Sequence, residues 1–287
     1  MATITLTLND EQIHQLKQTF IDSISKAPAY ALYQLRVENC VITAYESKKV
    51  VFQGKDAEIY ASAFQHKTET SIHQAGSDEV GTGDYFGPVC VCACIITPEN
   101  WKKIEHLSVN DSKKLTDEFI LETAPVLMQH LPYSLLILEP AKYNQIQPYN
   151  NLNQIKAKLH NQAYLNLIKK AGSLPSLKVV DQFTPPASYW RYLSSEPHVV
   201  SGLHFETKAE SKYPSVACAS MIARYAFLKT WEKMEETYDM HFNKGGGSPA
   251  DATAEEFVRK YGFDKLHTVA KMHFKNTEKL IHTGEKQ

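Results

Sequence analysis

The ten residues Ala75-Gly76-Ser77-Asp78-Glu79-Val80-Gly81-Thr82-Gly83-Asp84 carry most of the information in this chain. Asp78 and Glu79 are adjacent, and adjacent side chains leave a strand in opposite directions, so both serve one site only where the strand ends or bends. Gly81 and Gly83 supply that bend and let a bulky polyanion approach the backbone closely. An acidic pair beside exposed N–H groups suits both a magnesium ion and a phosphodiester. The same residues also read as a solvated acidic hairpin turn, and the stretch alone leaves both readings open. The β-type pattern resumes from Gly87 to Ile96, giving a hairpin-like opening.

Downstream, mostly helical segments alternate with strand-like runs at Leu135 to Leu138 and at Val179 to Val180. A long helix is predicted from Ser215 to Tyr238, with Ala217, Met221, Ala226 and Leu228 on its apolar stripe. Gly245-Gly246-Gly247-Ser248-Pro249 breaks the chain before two final helical stretches. This order predicts an α/β domain over residues 75–287, a mixed sheet flanked by helices.

Upstream lies a separate pattern. Thr3 to Leu8 alternates as a strand, and Asn9 or Asp10 caps a helix with apolar positions Ile13, Leu16, Phe20 and Ile24. Three β-type runs follow, at Tyr33 to Val37, Cys40 to Tyr45 and Val50 to Gln53, and then a closing helix from Asp56 to Phe64. Residues 66–74 are polar with little periodicity, a predicted linker. Residues 1–65 thus form a small β-α-β-β-β-α domain. Its aromatic residues Tyr30, Tyr33, Tyr45 and Phe52 are either a ligand-facing platform or core.

Composition sets outer limits. With 31 Lys+Arg against 32 Asp+Glu, any polyanion-binding surface is local rather than global. Five cysteines, an odd number, argue for a reducing compartment. Cys90, Cys92 and Cys94 share one strand face without a zinc-ligand spacing and read as small core residues. Neither a signal peptide nor a run of about 20 apolar residues is visible, so a cytoplasmic protein with no membrane partner is expected.

Two more acids stand at the ends of predicted elements. Asp181 follows the buried run Leu177-Lys178-Val179-Val180, where α/β ligand sites form, although an N-cap reading is also open. Glu210 precedes the long helix, where an acid is also favourable for the helix itself. Converging acids repel one another, and divalent cations remove that penalty.

The runs SDEVGTGDYFGP (77–88), DSKKL (111–115) and KAESKYPSVACASMIAR (208–224) resemble the type-2 ribonucleases H, most of all the ribonuclease HIII branch. The resemblance covers essentially the whole chain. In it, Gly81-Thr82-Gly83 stands where the HII branch carries glycine-basic-glycine, and Glu210 where that branch carries aspartate. The resemblance implies a ribonuclease H-like nuclease domain and a TATA-binding-protein-like N-terminal domain that binds RNA/DNA hybrids. It implies Asp78, Glu79, Asp181 and Glu210 as catalytic, metal-holding residues, with Asp78 bridging two Mg²⁺ ions and Mn²⁺ as a substitute. It assigns 2′-hydroxyl reading to the backbone of Gly81, Thr82 and Gly83, and phosphate contact to Lys113 and Lys114, which otherwise read as a solvated helix start. It implies a monomer that cuts the RNA strand of hybrids, leaving 5′-phosphate and 3′-hydroxyl ends. Incision at single embedded ribonucleotides and hybrid binding without turnover are the alternatives. His204, His267 and His273 are read as structural residues rather than metal ligands.

Overall fold

The computed structural model describes residues 2–8, 10–64, 72–107, 109 and 116–284. The chain divides into two compact units, residues 1–70 and 71–287. Most of the linker expected at 66–74 lies outside the described residues, and Gln74, its last member, already opens a strand.

The first unit is a five-stranded antiparallel sheet in the order β1-β5-β4-β3-β2. Its strands are β1 (Ala2–Thr7), β2 (Ile24–Ser25), β3 (Ala31–Val37), β4 (Cys40–Tyr45) and β5 (Lys49–Gly54), with helices α1 (Asp10–Thr19) and α2 (Ala57–Phe64). Period-two alternation turns Tyr33, Leu35, Ile42, Ala44, Val50 and Phe52 inward onto Leu8, Ile13, Leu16, Ala57 and Ala61. Tyr33 and Phe52 are therefore core residues and not part of an aromatic platform; the Tyr33 hydroxyl donates to the Ile13 carbonyl at 2.6 Å. The helix expected to run through Ile24 stops at Thr19. A 3₁₀ turn at Ile21–Ser23 follows, and Ile24 pairs with Leu35 as an edge strand. Asp22 and Ser23, whose side chains compete for backbone hydrogen bonds, make that helical extension poor.

The second unit carries a five-stranded mixed sheet ordered β10-β9-β6-β7-β8. β6 (Gln74–Val80), β7 (Val89–Ile96) and β8 (Tyr133–Leu138) run antiparallel in sequence, while β9 (Leu177–Asp181) and β10 (His204–Glu206) add in parallel. The helices are α3 (Pro98–Ile104), α4 (Asp117–His130), α5 (Pro140–Ile146), α6 (Leu152–Ala171), α7 (Pro186–Tyr192), α8 (Pro214–Tyr238), α9 (Ser248–Tyr261), α10 (Phe263–Leu266) and α11 (Lys275–Gly284).

Every residue of β7 is buried, so its VCVCACII sequence serves two cores at once. Cys90, Cys92, Cys94 and Ile96 pack with α4 and α8; Val89, Val91, Ala93 and Ile95 pack with α5 and α6. Burial pushes the Cys90 thiol up to about 12 and Cys92, Cys94 and Cys218 in the same direction, which leaves all four as small apolar core residues.

The neighbouring strand β6 divides its contacts in the same way. Gln74, Gly76 and Asp78 face α8; Ala75, Ser77 and Glu79 face α6. Gln74 Oε1 accepts from Ser215 Oγ at 2.8 Å, and at Gly76 the backbone of α8 lies directly on the strand. A Cβ at Gly76 would sit 2.4 Å from the Val216 nitrogen and 2.5 Å from the Ser215 carbonyl carbon. Both are main-chain atoms at a helix start and cannot rotate away, and the Ser215 Oγ that bonds Gln74 would also lie 2.5 Å from the added carbon. Gly76→Ala is therefore expected to cost about 3 kcal/mol, at the upper end of overpacking penalties, read as a lower urea midpoint. An unchanged midpoint would show that α8 is free to shift.

Candidate active site

The acids gather where β6 and β9 end. The two strands are parallel and pair through Ser77↔Val180, so the next step places Asp78 beside Asp181 at their C-terminal ends. Asp78 is buried on the α8 side, where Ser220 hydrogen-bonds its carboxylate and Oδ1 accepts from the Glu79 amide at 2.7 Å. Its pKa is nevertheless pushed up to about 8, by burial first and by the charges of Glu79 and Asp181 next. Asp181, half-buried, accepts from the Ala209 amide at 2.9 Å. Its pKa is also raised, by burial and then by Glu210 and Glu79.

Glu210 sits in a 3₁₀ turn, Ala209–Ser211, entered through Lys208 in the left-handed region at φ 54°. That turn and the start of α8 are one continuous feature, since the Tyr213 and Lys212 amides both donate to the Ala209 carbonyl. Asp78 and Asp181 are hard oxygen donors whose pKa values burial and neighbouring carboxylates raise, and a divalent cation fits that need. Among the described residues, no three His, Cys, Asp or Glu side chains already surround one point as a ligand cage.

Glu79 stands apart from Asp78 in orientation. Its carboxylate turns toward α6, where Lys156 Nζ donates to Oε1 and His160 Nε2 meets Oε2, both at 2.8 Å. Burial pushes Glu79 upward, but the His160 and Lys156 contacts outweigh it, and its pKa is lowered. His160 Nδ1 meets Ser77 Oγ at 2.8 Å, so an imidazole with no exposed surface joins the two polar α6-facing residues of the motif, Ser77 and Glu79. Sequence reading passed over Lys156 and His160; their i,i+4 spacing on α6 was the available signal, and it says nothing of which strand the pair will meet.

The glycine turn leaves the strand as expected. Gly81 has φ +92°, and a Cβ there would lie 2.2 Å from the Pro88 carbonyl oxygen, so no other residue fits. Gly83 is exposed, with open space where a Cβ would be. The segment after it is braced by the C-terminal region. Asp84 Oδ1 accepts from the Gly245 amide at 2.7 Å, and the buried Lys271 ammonium donates to the Phe86 and Gly87 carbonyls at 3.1 and 2.7 Å. Burial pulls the Lys271 pKa down to about 7. Lys113 and Lys114, expected at the phosphates, lie outside the described residues.

A mixed sheet flanked by helices, with carboxylates meeting at the ends of its central parallel strands, defines a hydrolase of the ribonuclease H type. Comparison with known proteins bears this out. A family model described as Ribonuclease HII matches residues 75–277, and one described as a domain of unknown function matches residues 3–77. The chain belongs to the ribonuclease HII family. It is similar over its length to ribonucleases HIII: 36% identical to that of Bacillus cereus, covering 97% of this chain and 98% of the relative. The Bacillus pumilus protein gives 36% identity with the same coverage. Among solved structures, Bst-RNase HIII in complex with Mn²⁺ superposes with a TM-score of 0.76 at 34% identity, covering 100% of both chains.

Proposed function

We propose that this chain is an endoribonuclease that hydrolyses the RNA strand of RNA/DNA hybrids, with residues 75–287 performing the chemistry and residues 1–65 binding the duplex. The observation that carries the reading is the burial of Asp78 beside Glu79 and Asp181, a clustering of charge that stabilises nothing by itself. Asp78, Glu79, Asp181 and Glu210 are the residues that would hold a pair of Mg²⁺ ions, or Mn²⁺ in their place, whose Lewis acidity activates water and offsets charge on the leaving 3′ oxygen.

The chain's own groups do the rest. Ser220 and the Glu79 amide fix the Asp78 carboxylate, and the Ala209 amide fixes that of Asp181. The turn at 81–83 offers open backbone at Gly83 to the minor groove of a hybrid, where 2′-hydroxyls distinguish RNA from DNA. With water as the nucleophile no protein nucleophile is needed, and with the 3′ oxygen as the leaving group the products carry 5′-phosphate and 3′-hydroxyl ends.

In the first unit, the sheet face away from α1 and α2 presents Thr3, Thr5, Thr7, Leu32, Gln34, Arg36, Val41, Tyr45, Lys49, Val51 and Gln53. This face bears two cations, several hydroxyl and amide groups and no acid, which suits the sugar-phosphate backbone of a duplex. Replacing Arg36 and Lys49 together by Glu is expected to raise the KM for a hybrid about tenfold or more at moderate salt, with kcat retained. An unchanged KM would remove this face from substrate binding.

The reading itself is tested by cleavage in Mg²⁺ of a labelled continuous hybrid and of a DNA duplex holding one ribonucleotide, with EDTA as control. EDTA-sensitive cutting of the hybrid is expected, with the single-ribonucleotide duplex a poor substrate. Equal cutting of both would assign the alternative specificity, and no cutting of either would leave a hybrid-binding protein. Among the described residues, no helix is long and apolar enough to cross a membrane.

A further inference from the structure

One face of α6 is committed to the active site in a manner that the four acids alone do not require. Lys156 and His160, one helical turn apart, each hold one oxygen of the Glu79 carboxylate at 2.8 Å. Both are buried, and Glu79 itself is only 10% exposed, so neither cation nor anion has water as a substitute partner. Phe183 completes the group. Its ring lies 4.1 Å from the Lys156 ammonium and stacks on the His160 imidazole at 5.3 Å and 29°. Phe183 is two residues beyond Asp181, so one aromatic ring ties the α6 pair to the chain leaving β9.

The two partners of Glu79 are not equivalent. His160 is anchored from behind, with Nδ1 held by Ser77 Oγ at 2.8 Å, and its ring cannot leave without breaking that bond. Lys156 is a flexible ammonium whose second resting place, the face of Phe183, is already beneath it. A buried carboxylate needs a positive partner, and two partners of different mobility allow one to be exchanged while the other keeps the carboxylate oriented.

We propose that Lys156 and His160 are positioning residues for Glu79, His160 as the fixed orienting partner and Lys156 as a resident counter-ion that a divalent cation displaces. The proposal rests on Glu79 belonging to the metal-holding set. It gives the two residues opposite effects. Removing His160 frees the carboxylate to rotate and weakens cation binding; removing Lys156 leaves a carboxylate without its counter-ion and strengthens it. A structural role alone would make both substitutions act in the same direction.

The test is calorimetric titration of the full-length, metal-free protein with Mn²⁺, alongside kcat and KM on a continuous hybrid. His160→Ala is expected to weaken Mn²⁺ binding and lower kcat by about 10–100-fold, the usual effect of losing a partner behind a metal ligand, with KM for the hybrid unchanged. His160→Gln keeps a donor toward Glu79 and should recover part of both. Lys156→Met is expected to bind Mn²⁺ several-fold more tightly than wild type while cleaving more slowly, since the exchanged carboxylate no longer has a cation to return to. Should His160→Ala fail to fold, Ser77→Ala carries the same prediction in weaker form, because it removes the anchor behind the imidazole, along with a bond to the Tyr164 hydroxyl that itself stays held by the Val179 carbonyl. Unchanged Mn²⁺ affinity in the histidine series, or weakened affinity in Lys156→Met, overturns the proposal while wild-type Mn²⁺ binding and cleavage keep the site itself intact. If the wild type neither binds Mn²⁺ nor cleaves, the metal-site reading fails and takes this proposal with it.

Discussion

Asp181→Asn is expected to lower hybrid cleavage by at least about 10³-fold, or some 4 kcal/mol of barrier, without lowering the melting temperature. The two halves of this expectation have separate causes. Asparagine has the same shape and keeps the Oδ1 that accepts from the Ala209 amide at 2.9 Å, so the 3₁₀ turn carrying Glu210 stays in place. What is lost is the negative charge, at a position where burial and then Glu210 and Glu79 already make that charge unfavourable. The fold therefore tolerates the change and the chemistry does not. Single-turnover cleavage in Mg²⁺ beside a thermal melt in EDTA separates the two. Normal turnover would place Asp181 outside the site, and a lower melting temperature would mean its carboxylate serves the fold.

The parts of this molecule that follow a local rule are readable in the sequence. The β-type pattern through residues 75–96 became the β6–β7 hairpin, and the apolar stripe from Ser215 to Tyr238 became α8. The alternating cysteines fell on one buried face because period two leaves a strand no other choice. Other features depended on partners distant in sequence. Gly76 reads as a weak strand residue, yet it is where a helix starting 138 positions later meets the sheet. Lys156 and His160 look like the polar face of an amphipathic helix until β6 is laid against them. Lys271, in a stretch with no motif meaning of its own, is buried beneath the backbone that follows the glycine turn. The aromatic residues of the first unit show the limit of local rules from the other side, since alternation alone cannot say which face is covered. Helices α1 and α2 decided it, taking Tyr33 and Phe52 inward and leaving Tyr45 half-exposed on the opposite face.

Asp78→Asn is expected to act in opposite directions on stability and activity, and the pH at which it does so follows from the site. The folded-state pKa of Asp78 lies near 8, well above the ordinary carboxylate value, because the residue is buried and faces Glu79 and Asp181. An acid that holds its proton more tightly in the fold than in the open chain contributes stability below its unfolded value, near 4, and that contribution is lost as pH rises through 8. At pH 5 in EDTA, where wild-type Asp78 is protonated, the two proteins should melt at similar temperatures. At pH 9 the wild type carries a buried charge that asparagine lacks, and the variant should be more stable by on the order of 2–5 kcal/mol, each kcal/mol giving roughly 2–4 °C in a unit of this size. Adding Mg²⁺ should reverse the ranking, raising the wild-type melting temperature through binding to the native state while leaving the variant nearly unmoved and inactive. Equal melting temperatures at pH 9 in EDTA would show that the carboxylate is adequately solvated and that no strain is held at the site. The ranking in EDTA and its reversal by Mg²⁺ have a single origin: the sheet end holds more negative charge than the fold alone can satisfy, and the protein is most stable when a cation supplies the difference.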